Sequence, residues 1–99
     1  MNAMGLQCSD KDNVAVIFAE NTQAGTLVDV RDKRGGITTV TINQPVPYGH
    51  KLALKSIRKG EDIIKYGESI GMATADIEPG DYVHVHNMDS KRGRGDWEE

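Results

Sequence analysis

Cysteine, tryptophan and phenylalanine each occur once in these 99 residues, and no apolar run approaches the roughly 20 residues that a membrane-spanning helix needs. The single Cys8 rules out an intramolecular disulfide framework and suits a reducing compartment. The amino terminus has no basic-then-apolar stretch of the secretory kind. A cytoplasmic protein without membrane association is expected. An excess of basic charge is also missing: 12 Lys and Arg stand against 15 Asp and Glu, for a net charge of -3. That balance gives no nucleic-acid footprint, although local groups can still take a small anionic or polyhydroxy ligand. A chain of this length makes one domain with one small core, too little to enclose a deep active site unaided. A site shared with a partner is therefore expected.

What the chain does have is glycine, 11 residues of it, and apolar residues in short alternating or β-branched runs. Val14 to Phe18, Thr26 to Val30 and Ile37 to Ile42 read as strands, with Asp32-Lys33-Arg34-Gly35-Gly36 as the turn between the last two. Ser56 to Lys59, and Glu61 to Lys65, read as brief helical turns limited by Gly60 and Gly67. A turn-then-strand phrase recurs around Gly25, Gly49, Gly60 and Gly80. In each copy the residue three before the glycine is placed to pin the turn to the core, and the apolar residue three after it opens a buried strand. The copies are too close and irregular for a solenoid. The expected fold is mainly β, loop-rich, with at most one or two short helical turns. Its domain spans residues 6–88, after an amino-terminal extension over 1–5 and before a polar tail over 89–99.

The three histidines sit in two phrases, Pro47-Tyr48-Gly49-His50-Lys51-Leu52 and Tyr82-Val83-His84-Val85-His86-Asn87. Imidazole binds metals and moves protons near neutral pH. On a strand, His84 and His86 would leave one face roughly 6 to 7 Å apart, within reach of one ion. They equally suit a rim where both bond to loops.

Four ordered motifs, Asp12-Asn13-Val14-Ala15-Val16, Gly49-His50-Lys51-Leu52-Ala53-Leu54, Ile64-Lys65-Tyr66-Gly67-Glu68-Ser69-Ile70-Gly71-Met72-Ala73 and Val83-His84-Val85-His86-Asn87, resemble the amino-terminal domain of the altronate and galactarate dehydratases. The resemblance covers roughly residues 6–95 and implies the SAF type of β-clip fold. It further implies a stand-alone small subunit or an excised domain, working with a large catalytic dehydratase subunit on a sugar acid; a homo-oligomer is also open. The small subunit of sulfolactate sulfo-lyase resembles the chain in the same way. A non-catalytic β-clip module binding carbohydrate or protein is the remaining alternative. One departure is local: many relatives carry a His-Pro or similar pair where this chain has Ser9-Asp10, so Asp10 and Asp12 stand either as substitute oxygen ligands or as structural residues.

The resemblance suggests roles for named residues. His50 suits a general base that takes the proton beside a carboxylate, or a turn residue satisfying carbonyls. His84 and His86 are the candidate metal ligands, with Fe2+ or Mn2+ favoured over Zn2+ because carboxylates are plentiful and Cys8 is alone. Lys51 can meet the substrate carboxylate or simply be solvated. Tyr66 either donates its phenol as a second catalytic group or covers the core edge. Asp12, Asn13 and Asn87 are the further substrate-binding candidates, with an Asx-type turn as the alternative for the first two. Arg94-Gly95-Asp96 reads as a polar connector, and Trp97 either packs on a partner or is disordered.

Overall fold

A computed structural model describes residues 2–90, and within them every regular element is a strand. The order is β1 (Ala3–Leu6), β2 (Val14–Ile17), β3 (Leu27–Arg31), β4 (Ile37–Thr41), β5 (Lys51–Ala53), β6 (Asp62–Lys65), β7 (Glu68–Ala73), β8 (Tyr82–Val83) and β9 (Met88–Ser90). A six-stranded sheet runs β4-β3-β1-β2-β5-β8, and a three-stranded sheet runs β6-β7-β9. The mainly β, β-clip expectation holds.

Strand alternation makes two cores from β2, β5 and β8, because successive side chains leave opposite faces. Ala15, Ile17, Leu52 and Tyr82 face one cluster, built with Val28, Val30, Ile42 and Val46. Val14, Ala53 and Val83 face the other, closed by Ile57, Ile63, Ala73, Ile77 and Met88. These three strands are thus covered on both sides.

The recurring glycine phrase turns out to be a single device used four times. Gly25, Gly49, Gly60 and Gly80 all take positive φ, between 82° and 93°. Each turn closes with a hydrogen bond from the residue after the glycine: Thr26 to Gln23, His50 to Pro47, Glu61 to Arg58 and Asp81 to Glu78, all at 2.9 to 3.0 Å. A bond spanning four residues with glycine third is the type II arrangement, where only glycine is unstrained. Every turn is then docked by a two-way clasp. The glycine N–H donates to the carbonyl of Ile42, Ile17, Ala73 or Ala53 respectively, and the N–H of that same residue donates back to the carbonyl after the glycine. Three positions further on lie Val28, Leu52, Ile63 and Val83, each 0% exposed.

The turns also pair with one another. Ile57 and Ile77 exchange backbone hydrogen bonds at 2.8 and 2.7 Å. In the other pair the Thr22 side chain does the same work, its Oγ1 donating to the Val46 carbonyl at 2.6 Å and accepting from the Val46 N–H at 2.9 Å.

Three expectations need correction. Residues 3–5 are not an extension: β1 lies inside the six-stranded sheet, parallel to β3 and antiparallel to β2. Residues Glu61 to Lys65 make no helical turn, because Asp62–Lys65 pair with β7 across a two-residue hairpin, and Ser56 to Lys59 lead into a type II turn. The tail does not begin at 89, since Asp89 and Ser90 pair with Met72 and Gly71; the rest of that tail, Trp97 included, lies outside the described residues.

The hairpin joining β6 to β7 has positive φ at Tyr66 (57°) and Gly67 (75°). Tyrosine is a costly choice there. The fully buried carboxylate of Asp12 compensates by accepting from the N–H groups of Tyr66 (3.1 Å), Gly67 (2.8 Å) and Ser9 (3.0 Å). Asn13 continues the seam: its Oδ1 accepts from the Ile64 N–H and its Nδ2 donates to the Asp62 carbonyl.

Two stability outcomes follow. Asp12→Ala strands three amides and is expected to cost about 3 kcal/mol in urea unfolding; a loss below about 1 kcal/mol would remove Asp12 as the anchor of the hairpin. Gly60→Ala meets no atom nearby and should cost about 1 to 2 kcal/mol for its φ alone. At Gly80 the added Cβ also runs into the Thr41 carbonyl oxygen, so Gly80→Ala should lower the thermal midpoint well beyond Gly60→Ala. Equal midpoints would contradict this.

Candidate functional site

The register of β5 against β8 brings the histidines together. Lys51 faces Val83 and Leu52 faces Tyr82, so one step further along the same antiparallel register sets His50 opposite His84. Their ring centroids are 4.9 Å apart. Tyr82 is the hub of this group: its hydroxyl lies 2.8 Å from Nδ1 of His50, its ring stacks on His84 at 5.6 Å and 7°, and it meets His86 at 5.3 Å. The imidazoles from two separate segments therefore gather at one half-open rim.

His50 is free for this contact because of Pro47. In the other three turns the side chain after the glycine folds back to accept from the first amide of its turn: Thr26 from Gln23, Glu61 from Arg58 and Asp81 from Glu78. Proline has no N–H to satisfy. The equivalent side chain, His50, turns outward to Tyr82 instead.

His84 and His86 are not successive residues on one face of a strand. Strand β8 stops at Val83, and residues 84 to 87 form a turn in which the Asn87 N–H donates to the His84 carbonyl at 3.0 Å. The buried Asn87 side chain closes it, with Oδ1 accepting from the His84 N–H (3.0 Å) and Nδ2 donating to the Tyr82 carbonyl (2.8 Å). The imidazoles share a neighbour rather than a strand face. Among the described residues no three His, Cys, Asp or Glu side chains converge as metal ligands. This donor set does not complete an Fe2+ or Mn2+ site from the chain's own residues, since such ions want six ligands.

The remaining candidates separate clearly. Asp12, Asn13 and Asn87 spend their polar atoms on backbone groups. Asp10 pairs with Arg34 at 2.9 Å. Tyr66 stands at the hairpin tip, 70% exposed, with the Lys65 ammonium 5.4 Å from its ring centre and no ring contact to a histidine. Lys51 is half-buried, and burial followed by repulsion from Lys65 pushes its pKa down, with no carboxylate among the described residues in an ion pair with it. Burial, then His50, Lys51 and His86, likewise hold the His84 pKa below the ordinary 6.5. Lys51 and His84 thus both carry positive charge less readily than usual, a cost that a bound anion would offset.

Tyr82 is the residue that sequence reasoning missed. The clue was available in outline, since it sits two after Gly80 as His84 sits four after, but only the β5 to β8 register, which pairs it with Leu52, brings its ring beside His50.

Comparison with known proteins agrees with this architecture. A family model described as the altronate/galactarate dehydratase SAF domain matches residues 3–91. The chain is 50% identical over 76 residues to altronate dehydratase of Escherichia coli, a match that covers 77% of this chain and 14% of that enzyme. It is 35% identical over 83 residues to the alpha subunit of (2R)-sulfolactate sulfo-lyase of Chromohalobacter salexigens, covering 82% of this chain and 87% of that subunit. Galactarate dehydratase (L-threo-forming) of Escherichia coli is 35% identical over 82 residues, 14% of its length. The chain thus spans about one seventh of the dehydratases it matches. With the motifs, the strand pattern and the family match in agreement, the chain belongs to the altronate/galactarate dehydratase SAF-domain family.

Proposed function

We propose that this chain is the small subunit, or the SAF portion, of a hydro-lyase that dehydrates a sugar acid such as altronate to a 2-keto-3-deoxy acid. The observation that supports it most is the meeting of His50, Tyr82 and His84 at an anion-friendly rim in a member of this family. Dehydration breaks the C2–H bond, shifts its electron pair into a C2–C3 double bond and expels hydroxide from C3 with the C–O pair; the enol then becomes the ketone. Such a step needs a base for the C2 proton and donors for the carboxylate and for the charge that develops on oxygen. Imidazole serves either task near neutral pH, and Lys51 suits the carboxylate as a point charge. His50 is the base expected from its position in the sequence. Tyr66 makes no ring contact with the imidazoles, which favours another group as the acid that assists hydroxide.

Among the described residues the rim offers imidazoles, a phenol and an ammonium but no complete catalytic set, which favours closure by a large catalytic subunit. A divalent ion enters this reading only with ligands supplied by that partner, and a cytoplasmic setting goes with it. A second reading is favoured by the 87% coverage of a sulfolactate sulfo-lyase alpha subunit: the same rim serving the loss of sulfite in place of water.

Co-expression with the large dehydratase polypeptide should give a complex that consumes altronate while neither part alone does. Sulfite release from sulfolactate by the same complex would move the assignment to the second reading. Full activity of the large polypeptide without this chain would refute both. The chain alone should show no saturable Mn2+ binding by calorimetry; saturable binding would mean that it holds a complete metal site.

The depressed His84 pKa also fixes a pH dependence. Between the folded value and the unfolded value near 6.5, the unfolded chain binds more protons, so stability falls as pH drops through that window. Urea unfolding at pH 7.5 and at pH 5 should show this loss, and His84→Gln should reduce it. An unchanged difference would show that His84 is not its source.

A further inference from the structure

The hydroxyl of Tyr82 and Nδ1 of His50 are 2.8 Å apart, and among the described residues neither that hydroxyl nor Nε2 of His50 has another hydrogen-bond partner. A neutral imidazole has one donor nitrogen and one acceptor nitrogen, and the partner of one settles the state of the other. Here the partner is a phenol, a good donor, facing a ring nitrogen that is a better acceptor than a phenol oxygen. The favoured bond therefore runs from the Tyr82 O–H to Nδ1. The proton of the neutral ring is then on Nε2, the nitrogen without a partner among the described residues.

The Tyr82 backbone is fixed firmly enough to impose this. Its N–H donates to Gln44 Oε1 at 2.9 Å, its carbonyl accepts from the Asn87 side chain at 2.8 Å, and its ring is stacked against His84. His50 is equally restrained, its N–H donating to Pro47 and its carbonyl accepting from Ile17. Two rings on rigid backbones meet at hydrogen-bond distance. No rearrangement is needed to form the contact.

We propose that Tyr82 is a positioning residue that locks neutral His50 in the tautomer carrying its proton on Nε2, so that His50 meets the anionic oxygen of an acid substrate as a hydrogen-bond donor and not as the base. This rests on the hydro-lyase reading for the identity of the substrate, and it revises the role of His50 within that reading. The donor stabilises negative charge on the substrate carboxylate as the C2 proton leaves. The base for that proton is then a different group of the assembled site.

The lock is tested first on the full chain alone, by long-range proton–nitrogen NMR of the histidine rings at pH 8. His50 should show an unprotonated Nδ1 and a protonated Nε2, and Tyr82→Phe, which keeps the ring stack, should return it to a mixture of both tautomers. A proton on Nδ1 in the unaltered chain, or the same single tautomer in Tyr82→Phe, would overturn the proposal whether or not the chain takes part in dehydration. The second arm uses the complex with the large dehydratase polypeptide. His50→Gln retains an amide donor near the place of Nε2 and is expected to keep activity within about tenfold, while His50→Ala loses about 100-fold or more. Equal, near-complete loss in both variants would identify His50 as the base and reject its assignment as donor. Thermal melts of the three variants close to that of the unaltered chain keep these losses from being read as unfolding. If the complex dehydrates nothing, the hydro-lyase reading fails while the NMR result still decides the tautomer.

Discussion

Each glycine turn is held by two backbone hydrogen bonds running in opposite directions to one buried residue, and the rest of the molecule is arranged around those four clasps. A clasp satisfies the amide of the glycine and the carbonyl that follows it, groups that would otherwise lie unpaired beside a core. It also sets the phase of the next strand. Three residues later a side chain must point inward, and Val28, Leu52, Ile63 and Val83 do so without residual exposure. Strands of only two to six residues can then be placed reliably, because their position is set at the turn rather than accumulated along the strand.

The imidazole rim is a product of that placement. The clasps at Gly49 and Gly80 start β5 and β8, their register sets His50 across from His84, and the ring of Tyr82 meets both. Nothing in this requires a flexible loop to close. The 84 to 87 turn is itself tied by the buried Asn87, which explains why a polar residue sits inside the molecule at this point. The scaffold delivers its polar side chains pre-positioned, as a shared site between polypeptides would need.

Much of the fold was legible in the residues. The positive φ at four glycines, the pinning residues before them and the strands β2, β3 and β4 follow from turn chemistry and β-branched runs. What escaped was non-local. Ala3–Leu6 became an inner strand only because β3 and β2 both accept it as a neighbour, and Asp62–Lys65 became a strand because β7 pairs with it. The grouping of His50 with His84 and His86 was legible as an expectation, yet their shared strand face was not real, since Asn87 turns the chain at His84. Asp12 and Tyr66 show a related limit. A carboxylate and a phenol beside a motif look like site chemistry in one dimension, while in three the first holds the second's strained backbone in place.

The exchange at Pro47 has wider meaning for how such a scaffold acquires chemistry. In three turns the side chain following the glycine is bound to structural duty, and in the fourth a proline cancels the amide that demanded it. A single imino acid thus liberates a rigidly held position on the molecular surface without loosening the framework. The remaining three corners are latent positions of the same sort, open to recruitment wherever a proline at the start of the turn matches the local backbone.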